Sequence, residues 1–213
     1  MRHVSKQVFL DYLRCPLLGW RARRPAYAVA PTLGEQLRMA EGIEIGHLAQ
    51  ALYPNGVLVD NPDPAAAAAR TASLIRDPTV QVIYEAAFVA QDCAAKADIL
   101  ARENGSWHLC EVKSSVNDDD KFTDDIAYTA LVMQRSGIAV SAVSLVLLSR
   151  DFRLGMGTDR MFAVYDRTQD VLTRMAALQG TWDEIVRVTA QTNPPSTHLT
   201  LQCRSCDLFR DCT

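Results

Sequence analysis

The sequence predicts an α/β fold with a mixed central sheet flanked by helices. Three observations carry that expectation. Two β-like runs flank Asn104-Gly105, a pair that tolerates the positive φ of a type I′ turn and is the strongest short hairpin signal. Ile138 to Leu148 is a near-continuous apolar, β-branched run, which fits a strand buried on both faces and reached by a helical crossover. Between and around these runs lie capping signals and amphipathic stretches of helical length.

Taken in order, Ser5 caps a first helix that carries Val8, Phe9, Tyr12 and Leu13 on one side, and Cys15-Pro16 interrupts or ends it. Thr32-Leu-Gly-Glu35 reads as a capping box opening a helix towards Tyr53. Asp63-Pro64 and five alanines start another helix, with Pro at the tolerated first position. Val80 to Val89 is rich in β-formers, and with the two hairpin strands it makes a three-stranded meander carrying Glu85, Asp98 and Glu111. The acidic loop Asn117–Asp120 supplies favourable charge to the start of a helix that ends before Gly137. Met161 to Tyr165 reads as one more strand. Thr168 to Ala190 reads as a long amphipathic helix that Gly180 kinks or splits, and Asn193-Pro-Pro-Ser as a linker.

The hairpin sets a register. With Asn104 and Gly105 as the loop, Glu103 pairs with Ser106, Asp98 lies across from Glu111, and Lys96 from Lys113. Alternation puts all four on one face and Ile99 with Cys110 on the other. Opposed Cβ atoms lie roughly 4.5–5.5 Å apart, where like charges are destabilising. A divalent cation would compensate, and hard oxygen ligands suit Mg²⁺ or Mn²⁺. The bland alternative is an exposed rim on which Lys96 and Lys113 neutralise the acids.

The 213 residues suit one domain or a domain with a small cap, and the 48% hydrophobic fraction is ample for a core. A net charge of −3 excludes a global polycation, so nucleic-acid binding needs local patches. Arg14, Arg21, Arg23 and Arg24 form one basic concentration. No apolar stretch is long enough to span a membrane, and the first residues lack a signal-peptide core. A cytoplasmic protein is the default expectation, with the six cysteines reduced or metal-bound. Cys203, Cys206 and Cys212 form C-x₂-C-x₅-C, three ligands where a structural site wants four. Cys15 is the leading candidate for the fourth; Cys93 and Cys110 lie on expected strands and read as buried thiols. Spacing alone does not separate zinc from an iron–sulfur cluster.

Asp98 followed by Glu111-Val112-Lys113 at the end of the next strand resembles the PD-(D/E)xK nucleases. Glu85 in Val-Ile-Tyr-Glu-Ala-Ala-Phe and His47 in Gly-Ile-Glu-Ile-Gly-His match further positions of the RecB-like branch. Cys15 before the core and the cysteine trio after it are similar to the iron–sulfur RecB-like nucleases, which include the Cas-four type of CRISPR adaptation nuclease and the nuclease domain of AddB. The resemblance implies a restriction-endonuclease-like core over 31–190. Segments 1–30 and 191–213 would be joined by a [4Fe–4S] cluster on Cys15, Cys203, Cys206 and Cys212 within one domain spanning 1–213. It also implies Mg²⁺ or Mn²⁺ on Asp98, Glu111, the Val112 carbonyl and His47, with Lys113 at the phosphate. Glu85 would hold a second metal transiently or orient a ligand. The helix after Lys113 departs from the subgroup's Gln-x-x-x-Tyr motif beside the DNA path, so that either Tyr128 or Gln134 substitutes or the role is lost.

The expected function is therefore a metal-dependent deoxyribonuclease acting on single-stranded DNA or DNA ends. Its implied settings are CRISPR adaptation, recombination and repair, or defence, with adaptation or helicase proteins as partners. The alternatives are a non-catalytic iron–sulfur DNA-binding module and a zinc-stapled accessory domain of a larger helicase or defence complex.

Overall fold

The computed structural model describes residues 3–206 and 208–212, and it starts where the sequence puts its first cap. Ser5 Oγ accepts the Val8 N–H and opens α1 (Lys6–Arg14). Cys15 closes α1 and also precedes Pro16, the first residue of α2 (Pro16–Ala22), so the Cys-Pro pair interrupts the helix and re-aims it. The two helices pack closely enough that a Cβ on Gly19 would meet Tyr12 Cβ at 2.6 Å. Thr32 and Glu35 form the expected capping box at the head of α3 (Leu33–Ala49). Asp63 Oδ2 accepts the Ala66 N–H at the head of α4 (Pro64–Arg76).

Among the described residues the strands form one mixed six-stranded sheet in sequence order. A two-residue strand that periodicity was too short to reveal, β1 (Val57–Leu58), runs parallel to β2 (Val82–Ala90). Strands β2, β3 (Cys93–Glu103) and β4 (Ser106–Lys113) are the antiparallel meander. Helix α5 (Lys121–Arg135) then crosses over to β5 (Val140–Leu148), which is parallel to β4. Finally β6 (Phe162–Asp166) pairs antiparallel with β5, and α6 (Thr168–Ala190) follows. Gly180 does not split α6, which runs unbroken through it. A four-residue helix, α7 (Phe209–Cys212), lies in the C-terminal segment.

Helices α1, α4, α5 and α6 cover one face of the sheet, through Phe9, Leu74, Leu131 and Trp182 on Ile83, Leu100 and Leu145. Helix α3 covers the other, with Ile45 and Ala49 against Ile99, Cys110 and Val146. No helix among the described residues is long and apolar enough to cross a membrane.

The hairpin turn forms as its chemistry requires, with φ of 51° at Asn104 and 81° at Gly105. The expected register holds from Glu103–Ser106 to Ile99–Cys110 and stops there. In that register Val112 N–H would next pair with the Ala97 carbonyl; instead Asp98 Oδ2 accepts it at 2.7 Å. Asp98–Glu111 and Lys96–Lys113 therefore lie beyond the paired stretch, a correction to the expected opposition. Glu85 adds to the break with φ of 54°, a left-handed conformation inside β2. On either side of it the faces exchange. Tyr84 and Ile99 belong to the α3 side, whereas Ala86 and Ala97 belong to the α5 side.

Two residues expected at a DNA surface are corrected. Tyr128 is fully buried between Phe9 and Trp182, and its hydroxyl donates to the carbonyls of Val4 and Ala94 (3.0 Å for the latter). Arg23 is 2% exposed, donates to Val186 O and Thr189 Oγ1 and pairs with Asp92 at 3.0 Å. Tyr128→Phe is expected to lower stability by about 1–2 kcal/mol in urea denaturation, because the buried hydroxyl's hydrogen bonding to the Val4 and Ala94 carbonyls is lost.

Candidate active site

The site is assembled where β3, β4, α1 and α5 meet. Glu111 sits near the end of β4, 2% exposed. Its Oε1 accepts from Lys6 Nζ at 2.6 Å and from Lys113 Nζ at 2.9 Å. Its Oε2 is buried and has no hydrogen-bond partner among the described residues. Such an atom costs about 1–3 kcal/mol when left unmade. Lys113 also bonds Asp125 in α5, and Lys6 Nζ lies 3.7 Å from the same carboxylate. Two ammonium groups thus bridge the same two acids, one from the C-terminal end of β4 and one from the first residue of α1.

Asp98 faces this group from β3. Burial, reinforced by the charge of Glu111, pushes its carboxyl up to about 8. Burial would raise Glu111 as well, but Lys6 and Lys113 outweigh it and hold Glu111 below the usual carboxylate range. Burial opposes the charge on both lysines, yet Glu111 and Asp125 raise them above the ordinary lysine value. The surroundings therefore push Asp98 towards its neutral form and favour an ionised, doubly clamped Glu111.

The fold brings Asp98, Glu111 and Lys113 together and leaves two expected residues outside. Glu85 lies one strand away, where the β2–β3 ladder skips a pair between Tyr84–Ile99 and Ala86–Ala97, and it pairs instead with Lys96 at 3.8 Å. His47 is exposed on α3, whose buried residues pack on the opposite face of the sheet from Glu111. Lys6 and Asp125 were not anticipated. The signal for Lys6 was local conflict: a cation at the first position of a helix opposes the macrodipole and calls for a tertiary partner. Asp125 carried no such mark, since acids are ordinary in the first turns of a helix.

A second constellation lies at the other end of α1. Cys15, Cys203, Cys206 and Cys212 line one cavity of about 160 Å³ together with His198 and Phe209. That is several times the roughly 30 Å³ share of one water. Thr200 donates its backbone N–H to Cys203 Sγ at 3.3 Å, which lowers the thiol's affinity for its proton. Cys93 and Cys110 differ sharply: both are buried, and burial pushes each up to about 12. Among the described residues no three His, Cys, Asp or Glu side chains converge closely enough to hold an ion as they stand.

Of the other N-terminal arginines, Arg24 lies 3.7 Å over the Trp20 ring and donates to the Thr189 carbonyl at 2.9 Å. Arg21 stacks on Tyr27. Arg14 stays exposed and lines the cysteine cavity. No protein-family model and no curated protein matches the chain.

The electrostatics set the stability of the ion-free protein. Asp98 keeps its proton up to about 8, while an unfolded aspartate releases it near 4. The folded state binds the extra proton across that window, so stability falls as pH rises through it. The depressed Glu111 acts only below its unfolded pKa, where its contribution is lost on acidification. In urea denaturation with EDTA, Asp98→Asn is expected to flatten the decline between pH 5 and pH 8 and to add at least about 1 kcal/mol at pH 8. Glu111→Gln is expected to cost roughly 3 kcal/mol, since it leaves two buried cations underpaired.

Proposed function

We propose that the chain is a metal-dependent deoxyribonuclease of the PD-(D/E)xK type, with a restriction-endonuclease-like core and a metal centre held by its terminal cysteines. The observation that carries this reading is the unpartnered Glu111 Oε2, buried beside Asp98 and within one residue's reach of Lys113. A protein that only neutralised these acids would have no use for an orphaned carboxylate oxygen. Asp98, Glu111 and the Val112 carbonyl would hold Mg²⁺ or Mn²⁺. Bound there, the ion would supply a polarised phosphate and a water of lowered pKa.

The chain's own residues do the rest. Asp98 releases its proton when it becomes a ligand. Asp125 and Glu111 hold the Lys113 ammonium in place, so it is set in advance for charge that develops on the phosphorus. Single-stranded DNA or DNA ends are the substrates this reading implies.

The four cysteines lining one cavity supply an all-thiolate donor set, the chemistry of a [4Fe–4S] centre or of structural zinc. We favour the cluster, because one cysteine before the core and three after it is the plan of the iron–sulfur RecB-like nucleases that the sequence resembles. Such a centre would join segments far apart in sequence and restrain the unfolded chain. A second reading also has an observation behind it. Lys6 and Lys113 already neutralise Glu111, so a non-catalytic DNA-binding module would retain the same clamp.

Cleavage of end-labelled single-stranded and duplex DNA separates the two. With Mg²⁺ or Mn²⁺ the wild type is expected to cut, and to be silent in Ca²⁺ or EDTA. Asp98→Ala, Glu111→Ala and Lys113→Ala should each lose at least about 100-fold in rate. Unchanged cleavage in the two acid variants would assign the activity elsewhere, and a wild type that binds but never cuts would favour the binding module.

Protein purified without oxygen is expected to be brown and to carry about four irons per chain. Serine at Cys15, Cys203, Cys206 or Cys212 should bleach it and lower the melting temperature, while serine at Cys93 or Cys110 should not. Stoichiometric zinc without iron would replace the cluster by a zinc centre.

A further inference from the structure

The motif lysine is not alone. Lys6 Nζ lies on the same Glu111 oxygen as Lys113 Nζ and near the same Asp125. It comes from a different element, the first turn of α1, where a cation opposes the helix macrodipole. Its side chain is 26% exposed, whereas that of the Glu111 it contacts is 2% exposed. A residue placed against its helix's own field and kept at a carboxylate that another lysine already satisfies has more than a packing role.

We propose that Lys6 is a second substrate-contacting cation, binding a non-bridging oxygen of the phosphodiester beside Lys113. The inference rests on the nuclease reading. Geometry carries it: both ammonium groups sit on the one Glu111 oxygen, at 2.6 and 2.9 Å, and both lie beside Asp125, so a second cation stands where the motif lysine already meets its carboxylate. Asp125 then keeps the ammonium in place once Glu111 is shared. The two lysines converge on one oxygen from opposite elements, so they can straddle a phosphate as they straddle that carboxylate. Lysine suits this task as a compact point charge with three donors on a flexible stem.

The test uses the full chain with its cysteine centre loaded. A fluorescein-labelled single-stranded oligonucleotide is titrated by anisotropy in Ca²⁺, across a salt series, and cleavage is followed in Mn²⁺. Lys6→Met is expected to weaken DNA binding at least tenfold and to reduce the slope of log K against log salt by about 0.7, the loss of one single-strand phosphate contact. Cleavage should fall at least tenfold in kcat/KM, and Lys6→Arg should recover most of the binding and the slope. Lys6→Gln, which keeps a donor towards Glu111, replaces Lys6→Met if thermal melting shows that variant unfolded. It should lose the slope in the same way.

Wild-type cleavage and binding with an unchanged slope and rate in both charge-removing variants would reduce Lys6 to a counter-ion of Glu111 and overturn the proposal, leaving the nuclease reading intact. A wild type that neither binds nor cuts would remove the nuclease reading, and the role of Lys6 with it.

Discussion

The doubly clamped oxygen of Glu111 is the interaction on which the site depends. Lys6 and Lys113 both donate to it, at 2.6 and 2.9 Å, and Asp125 receives their remaining charge. Through those contacts the end of β4, the start of α1 and the second turn of α5 are fixed to one another. Buried ions repay their desolvation only with good geometry and further hydrogen bonds. Here one carboxylate oxygen has both and its twin has neither. That asymmetry is what a structural ion pair would avoid and what a site for a hard cation would use.

Helix α1 joins this centre to the cysteine cavity. Lys6 is its first residue, and Cys15 is its C-cap. Nine residues of helix rise about 1.5 Å each, so the two sites lie at the ends of a short rigid rod. The rod is held along its length by Phe9 against Tyr128 and Trp182, and before it by Val4, which bridges to Cys93 at the start of β3. Its C-terminal neighbour α2 is fastened to the end of α6 by Trp20, Arg23 and Arg24, which donate to residues 186–191. Of the arginines that looked like a basic surface patch, Arg23 and Arg24 therefore serve this junction, while Arg21 stacks on Tyr27 and Arg14 stays exposed.

Local chemistry made most elements legible. Ser5, Thr32 with Glu35, Asp63 and Asn104-Gly105 each act within a few residues, so their caps and turn survive folding unchanged. Alternation extended the hairpin to Ile99–Cys110 but not past it. The break arises from Asp98 taking a backbone N–H that the ladder would have used, and from the left-handed Glu85 on the adjoining strand. Both are side-chain and strain effects that a period of two cannot express. The same limit hid Lys6 and Asp125, which meet Glu111 only in space. Tyr128 and Arg23 were misplaced for a related reason: polar tips on large side chains are readily buried when carbonyls or a carboxylate stand within reach.

The central claim is that a divalent ion completes the Asp98–Glu111 pair, and proton release on binding tests it most directly. A ligand must be deprotonated to bind a metal, and Asp98 is held protonated up to about 8. Titrating Mn²⁺ into EDTA-treated protein at pH 6.5 by calorimetry, in buffers of different ionisation heat, reads the protons released. The account predicts saturable binding with about one proton released per ion, abolished in Glu111→Ala and without proton release in Asp98→Asn. Binding with no proton release in the wild type, or binding that survives Glu111→Ala unchanged, would contradict it.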